Sequence, residues 1–274
     1  MLSRRAEVVP LPTLLSQIRA GRRERPVVAI TFDDGYADNL HNALPLLERY
    51  GAPATVFLAT AWIGRAEQFW WDRLSAIVMS INPVPPRVNL RVGDDEFTWE
   101  RSAKSDKRDR ATNELHLAVW SKLVVAKDHD REVAMDHLLD YATCEPEIDS
   151  TTRPMTQDEL RRMASSPLIE IGAHTTSHCS LPDLPPETQL EEIEASRQQC
   201  RAFTGEFPSS FAYPFGDLDA DTPELVKSAG FERACSTQSE LVWDDTNAML
   251  LPRIQVPDCG TRGFSMRLRF RWLP

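Results

Sequence analysis

Short apolar runs separated by stretches of helical spacing organise this chain. Val27-Val28-Ala29-Ile30 leads into Thr31-Phe32, Ala54-Thr55-Val56-Phe57-Leu58 follows, and Leu168-Ile169-Glu170-Ile171 and Ser210-Phe211-Ala212-Tyr213 come later. Runs this short, mostly apolar and rich in β-branched residues, predict strands buried on both faces. Runs near 233–236 and 250–256 predict two more strands. Helical spacing fills the gaps at 38–50, ended by Gly51, and at 187–203 and 222–229. Thr156-Gln157-Asp158-Glu159 is a capping-box sequence that opens a further helix ahead of Leu168. Strands alternating with helices predict an α/β chain with a parallel sheet, read here as a distorted (β/α) barrel that need not close.

Residues 64–155 break the alternation and are expected to form a largely helical insertion within a single domain spanning 1–274. The insertion opens on Phe69-Trp70-Trp71-Asp72, passes through Asn82-Pro83-Val84-Pro85-Pro86, and carries a charged stretch from Glu100 to Arg110 that reads as a solvated loop. Helices are predicted over 112–126 and 131–141. Trp70 and Trp71 are candidates for stacking on a ring-shaped ligand, although anchoring the insertion is the commoner fate of at least one of such a pair. The lead-in offers Val8-Val9-Pro10-Leu11 and a helix over 12–20, and the tail from Phe264 to Leu273 is expected to close the chain as an amphipathic helix.

The chemistry-bearing residues fall where predicted strands end, which is where α/β folds keep their sites. Asp33 and Asp34 directly follow the first buried run. Neighbours on an extended chain point apart, so the two carboxylates have different tasks unless the backbone turns, which Gly35 permits. One can hold a cation while the other faces a substrate. Asp-Gly alone is also an ordinary turn sequence. His174-Thr175-Thr176-Ser177-His178 follows another buried run, and its i,i+4 spacing lets both imidazoles converge if the chain coils there. The other histidines, His41, His116, His129 and His137, lie in polar or helical settings and carry no site expectation. A carboxylate pair and a His-x3-His, each just past a buried strand, together point to a metal with two His and one Asp ligand. Three protein ligands leave positions open, as catalytic rather than structural sites do. A third strand end carries Phe211-Ala212-Tyr213-Pro214-Phe215-Gly216.

In this order, TFDDGY at 31–36, HTTSH at 174–178 and FAYPFG at 211–216 resemble the motifs of the NodB-type polysaccharide deacetylases, carbohydrate esterase family 4. The resemblance runs from about Val27 to the C-terminus, outside the insertion. It implies that Asp33 is the catalytic base and that Asp34, His174 and His178 hold one divalent ion, zinc with cobalt or nickel as substitutes. It also implies an acetylated glycan as substrate, with Tyr36, Tyr213 and Pro214 bordering it. Proteins of this resemblance often have a strand before the first motif, so a start that lacks it would leave a sheet edge open.

Two positions depart from the family pattern. Ala212 stands where an Arg that orients the base is usual, and Arg253, in Leu250-Leu251-Pro252-Arg253-Ile254, stands where a late Leu-x-x-His supplies a general acid. No histidine follows His178. The expectation is that Arg253 reaches in from the neighbouring strand end and keeps Asp33 ionised by a charge-assisted pair, with a purely structural Arg as the alternative. Asp33 would then accept a proton from water, and a backbone N–H, expected from Tyr213, would share in stabilising the oxyanion. The general acid has no assigned residue.

A formal net charge of −10 over 274 residues argues against nucleic acid or an anionic membrane surface as the main partner. Cys144, Cys179, Cys200, Cys235 and Cys259 form no C-x-x-C pair and are odd in number, which fits reduced thiols. Arg4 and Arg5 are followed by no long apolar stretch, so neither a signal peptide nor a transmembrane helix is expected, and the chain is expected in the cytoplasm. The expected activity is metal-dependent removal of acetyl groups, foremost N-acetyl, from amino sugars of a cell-surface polysaccharide or its precursor. An O-acetyl esterase, a sugar deformylase and a glycan-binding relative with little turnover are the alternatives. Two His and a carboxylate also make the facial triad of non-haem iron oxygenases, but Asp34 lies far upstream of the histidines in an α/β chain. A phosphatase of the Asp-x-Asp type is excluded because Asp33 and Asp34 are adjacent.

Overall fold

The computed structural model describes residues 5–21, 25–102, 108–146, 152–256, 260 and 263–264. The chain divides into two compact units, Met1–Gly64 with Met155–Pro274, and Arg65–Pro154. The first unit begins with β1 (Glu7–Val8), α1 (Leu14–Arg19), β2 (Val27–Val28), β3 (Ile30–Phe32), α2 (Leu44–Tyr50) and β4 (Ala54–Leu58). The second holds α3 (Trp70–Ser80), β5 (Arg87–Val92), β6 (Asp95–Glu100), α4 (Arg108–Leu123) and α5 (Asp128–Leu139). The first resumes with α6 (Gln157–Ala164), β7 (Ile169–Ala173), α7 (Pro186–Thr204), β8 (Ser210–Ala212), α8 (Thr222–Ser228) and β9 (Arg233–Cys235).

In the first unit the buried runs become a parallel five-stranded sheet in the order β3-β4-β7-β8-β9, an open half-barrel. The interior strand β4, between β3 and β7, is buried at all five positions, as its mostly apolar run requires. The first run serves two partners: Val27 and Val28 pair in parallel with Glu7 and Val8, and past Ala29 the chain joins β4 instead. Successive strand residues enter opposite clusters. Val56, Leu58, Phe211 and Tyr213 pack under the helices with Leu160, Met163, Ile193 and Val226, whereas Phe57, Ala212 and Cys235 face Val9, Leu11, Leu14 and Leu251. The helix expected over 38–50 contains a π-helical turn, Asn39–Ala43, before α2, and Gly51 ends it at φ 58°. The capping box forms: Glu159 N–H donates to Thr156 Oγ1 at 3.2 Å and Thr156 N–H to Glu159 Oε2 at 2.8 Å.

The expected strand at 250–256 is not one. A 3-10 turn, Ala248–Leu250, precedes a single parallel bridge between Leu251 and Cys235, and Pro252 then lacks the N–H that a ladder would use. The predicted tail helix lies outside the described residues from 265 onward, as do Cys259 and residues 103–107. The described cysteines, Cys144, Cys179, Cys200 and Cys235, are free thiols. Among the described residues no helix is long and apolar enough to cross a membrane.

Among its described residues the second unit has three helices where two were expected, and adds a hairpin that was not. Arg87 to Glu100 form an antiparallel hairpin, β5 with β6, turning at Gly93-Asp94 with Gly93 at φ 61°. Val88, Leu90 and Trp99 are buried while Arg87, Asn89 and Arg91 are exposed, the period-2 pattern of a half-buried hairpin. Trp70 is 3 % exposed, with its ring 6.5 Å from that of Trp120 and the Arg131 guanidinium 4.6 Å above it. So buried a ring cannot stack on a sugar. Trp71 stacks on Phe69 at 4.7 Å.

Candidate active site

β3 delivers both aspartates beyond its C-terminal end, and the backbone turns there earlier than glycine alone would allow. Asp34 itself adopts φ 71°, followed by Gly35 at φ 86°. A Cβ on Gly35 would come 2.9 Å from Leu58 Cδ2, so the tight turn also needs the missing side chain. Asp33 and Asp34 are thereby sent to different partners.

His174 follows the last residue of β7 and is fixed twice: its N–H donates to Leu58 O at 2.9 Å, and Nδ1 lies 2.7 Å from Ala212 O. A carbonyl only accepts, so Nδ1 carries the hydrogen and the Nε2 lone pair points into the site. His178 is not brought round by a helical turn. Thr175 and His178 both take positive φ, 61° and 63°, and this loop places the two rings 4.8 Å apart. The ligand atoms of Asp34, His174 and His178 all lie within 4.8 Å of one another. Asp34 Oδ1 is 3.1 Å from His178 Nε2 and 3.5 Å from His174 Nε2, yet this buried oxygen accepts no hydrogen bond. Burial pushes the His174 pKa down and His178 adds to the effect, outweighing Asp33 and Asp34, so the imidazole is held neutral, as a metal ligand must be. A buried anionic oxygen without a hydrogen, facing an imidazole lone pair, is a donor set that fits a divalent cation.

Asp33 turns the other way, to Arg253. Nη1 donates to Oδ1 at 2.6 Å and Nη2 to Oδ2 at 2.8 Å, a two-pronged pair that closes a separation of 220 residues. Arg253 is itself braced: Nε donates to Ser236 O at 3.0 Å, Nη1 reaches Thr31 Oγ1 at 3.3 Å, and the guanidinium lies 5.8 Å from the Phe57 ring centre. The segment arrives there because Leu251 N–H donates to Ala234 O at 2.8 Å and Ser236 N–H to Leu251 O at 2.9 Å, laying it along β9. Burial pushes the Asp33 pKa up, but the Arg253 charge, His174 and the Arg253 hydrogen bonds together hold it below the ordinary 3.8. Ala212 and Phe57 share a cluster, so Arg253 lies on the sheet face that a long side chain at 212 would occupy.

Tyr213 does not have the place expected of it. Its ring is fully buried, its hydroxyl donates to Met249 O at 2.9 Å, and its N–H donates to Cys235 O at 3.1 Å. That N–H is spent on the sheet continuation and is not the oxyanion donor, nor can so buried a side chain border a substrate. Pro214 is buried and opens the 3-10 turn Pro214–Gly216, and Tyr36 is half-buried. Sequence reasoning missed Phe215, which at φ 58° sets its ring edge-on to His178 with centroids 4.6 Å apart. It also missed Glu192 on α7, whose carboxylate meets the histidine loop.

The polysaccharide deacetylase family profile matches residues 20–83 and 134–234, spanning all three motif-bearing strand ends. YxkH of Bacillus subtilis (strain 168) is 54 % identical over 229 residues, 84 % of this chain and 51 % of YxkH, so the chain spans about half the length of that relative. The deacetylase PplD of Streptococcus pyogenes, solved with acetate, shares the fold at a TM-score of 0.59 and 14 % identity, covering 97 % of this chain and 81 % of that one. IcaB from Ammonifex degensii superposes at 0.55 with 15 % identity over 92 % of this chain and 78 % of its own. A parallel half-barrel that gathers an Asp-His-His cluster and a second Asp at its strand ends, matched by the family profile over more than half its length, belongs to the polysaccharide deacetylase family.

Proposed function

We propose that this chain is a metal-dependent hydrolase that removes acetyl groups, foremost N-acetyl groups, from amino sugars of a polysaccharide or its precursor. The observation that carries the reading is the division of labour between adjacent carboxylates: Asp34 sits among two imidazoles while Asp33 is locked to Arg253. Family membership supports the glycan class. A divalent ion, zinc in this reading, supplies Lewis-acid polarisation of the acyl oxygen and makes water easier to deprotonate.

Asp34, His174 and His178 hold that ion, and Asp33 handles the proton. Arg253 takes one lone-pair direction on each Asp33 oxygen, and a carboxylate offers about four, so room for a proton remains. As water adds to the acyl carbon, Asp33 accepts its proton. The C–N bond then breaks, and the same proton passes from Asp33 to the departing nitrogen, so acetic acid, which ionises in solvent, and a free amine leave without a separate acid. Esters need leaving-group protonation less than amides do. With Arg253 in the place of a late acid histidine, hydrolysis of sugar O-acetyl esters is therefore the second reading.

Acetate release from an N-acetylated chitooligosaccharide, followed before chelation, after it and after zinc is restored, tests the proposal. Release that is lost and then regained is the expected result. Release indifferent to the chelator, or oligosaccharide binding with no release under any metal, would overturn it.

A further inference from the structure

The loop that carries both histidines is strained, and the structure shows what holds it. Thr175 is β-branched and His178 carries a ring, yet both sit at positive φ, unfavourable conformations that persist only where the surroundings over-determine them. The surroundings do so from two sides. On one side, the turn after β4 satisfies the loop carbonyls: Thr60 N–H donates to Thr175 O at 3.2 Å, Ala61 N–H to Thr176 O at 2.9 Å, and Trp62 Nε1 to Ser177 O at 3.3 Å. Within the loop the His178 N–H donates to Thr175 Oγ1 at 3.0 Å, and on the other side Glu192 of α7 takes the two central donors. Its Oε2 accepts the N–H groups of both Thr176 and Ser177 at 2.9 Å, and its Oε1 accepts Ser177 Oγ at 3.0 Å. Thr176 Oγ1 also donates to the Glu192 carbonyl at 3.2 Å.

From this geometry we infer that Glu192 is a positioning residue for the metal centre: it holds Thr176 and Ser177 so that His174 and His178 converge on Asp34. The inference rests on the proposed metal site. Glu192 is not one of the three grouped ligands, Asp34, His174 and His178, and it sits 14 positions beyond His178, on α7. Its carboxylate is the one acceptor that reaches both central N–H groups of the loop from α7 among the bonds seen here. Without it, two donors lose their partner at a bend that is already unfavourable, and the loop is free to relax toward ordinary backbone angles. That relaxation swings His178 away from Asp34. The ion is then weakened although all three of its ligands remain.

Zinc affinity, measured by competition with a chromophoric chelator, and the visible absorption of the cobalt-substituted protein test this with the full chain. Glu192→Ala is expected to weaken zinc by about 10- to 100-fold, the range for groups that orient metal ligands, and to alter the cobalt spectrum. Glu192→Gln is expected to recover affinity to within a few-fold. Its amide oxygen can take the two N–H groups while its NH2 donates to Ser177 Oγ, which can accept as well as donate. Ser177→Ala, which deletes only the hydroxyl contact, should weaken zinc less than Glu192→Ala and keeps the test open if the alanine variant at 192 does not fold. Wild-type affinity and an unchanged cobalt spectrum in Glu192→Ala would overturn the inference while leaving the metal site standing, as would Ser177→Ala and Glu192→Gln both weakening zinc as much as the loss of the whole carboxylate. Wild-type protein that binds no zinc would overturn the inference together with the proposed function.

Discussion

Replacing Arg253 by Ala is the perturbation whose consequences the structure specifies most fully. The change removes two charge-assisted hydrogen bonds to Asp33, at 2.6 and 2.8 Å, and leaves the carboxylate's position to water and to its own backbone. At about 1.5 kcal/mol for each such bond the pair is worth ~3 kcal/mol, or about two decades of rate at ~1.4 kcal/mol per decade. The Asp33 side chain is 32 % exposed, so water replaces part of what is lost, and the expected fall in kcat/KM is between about 10- and 100-fold. The pH profile should move as well. Asp33 must be ionised to take a proton, so kcat/KM falls as pH drops through its pKa. Burial raises that pKa and Arg253 is the largest opposing influence, so deleting the guanidinium shifts the acidic limb to higher pH. Arg253→Lys keeps a charge without the planar fork, and should retain more of the low-pH limb than of the rate. Acetate release measured as kcat/KM from acid to neutral pH reads both effects. A variant with wild-type rate and an unmoved acidic limb would refute the reasoning and make Arg253 a structural residue.

Asp33→Asn should abolish acetate release, by more than about 100-fold in kcat, since an amide cannot accept the proton; retained turnover would show that the base lies elsewhere. Gly35→Ala should lower stability by about 1–3 kcal/mol, read as a drop in Tm, because the new methyl meets Leu58 at 2.9 Å in a backbone conformation that disfavours alanine; an unchanged Tm would contradict the account of the turn. Ala212→Arg should destabilise the otherwise unaltered chain by overpacking the Phe57, Cys235 and Leu251 cluster, whereas combined with Arg253→Ala it should regain part of the lost rate. No recovery in the double variant would mean that positions 212 and 253 are not alternative sources of one charge.

The legible parts of this site were those written in local pattern. Buried runs ending in Asp33-Asp34 and in His174-x3-His178 announced strand ends with chemistry on them, and the adjacency of the aspartates already required different partners. The hairpin at 87–100 was legible too, in the alternation of Val88, Leu90 and Val92 and in Gly93-Asp94, although the only elements expected in the insertion were the helices at 112–126 and 131–141. What local pattern does not encode is strain held by distant contacts. Thr175 and Phe215 adopt positive φ although their residue types disfavour it, and in the histidine loop tertiary hydrogen bonds from Glu192 and from the turn after β4 enforce the bend. The same limit explains Tyr213. Its place just past a strand end suggested an exposed N–H, but β9 runs alongside and Cys235 takes that donor. Likewise the apolar character of 250–256 suggested a strand, whereas Pro252 stops the ladder after one bridge and frees Arg253 to turn toward Asp33.

The central claim is that two adjacent carboxylates divide the work, Asp34 holding the ion and Asp33 the proton. Zinc content of the purified protein by elemental analysis, compared between Asp33→Asn and Asp34→Asn, tests it most directly. The account predicts about one zinc per chain in Asp33→Asn, as in the unaltered protein, and strongly depleted zinc in Asp34→Asn, whose neutral amide is a poor third ligand beside His174 and His178. Full zinc in Asp34→Asn together with depletion in Asp33→Asn would contradict it.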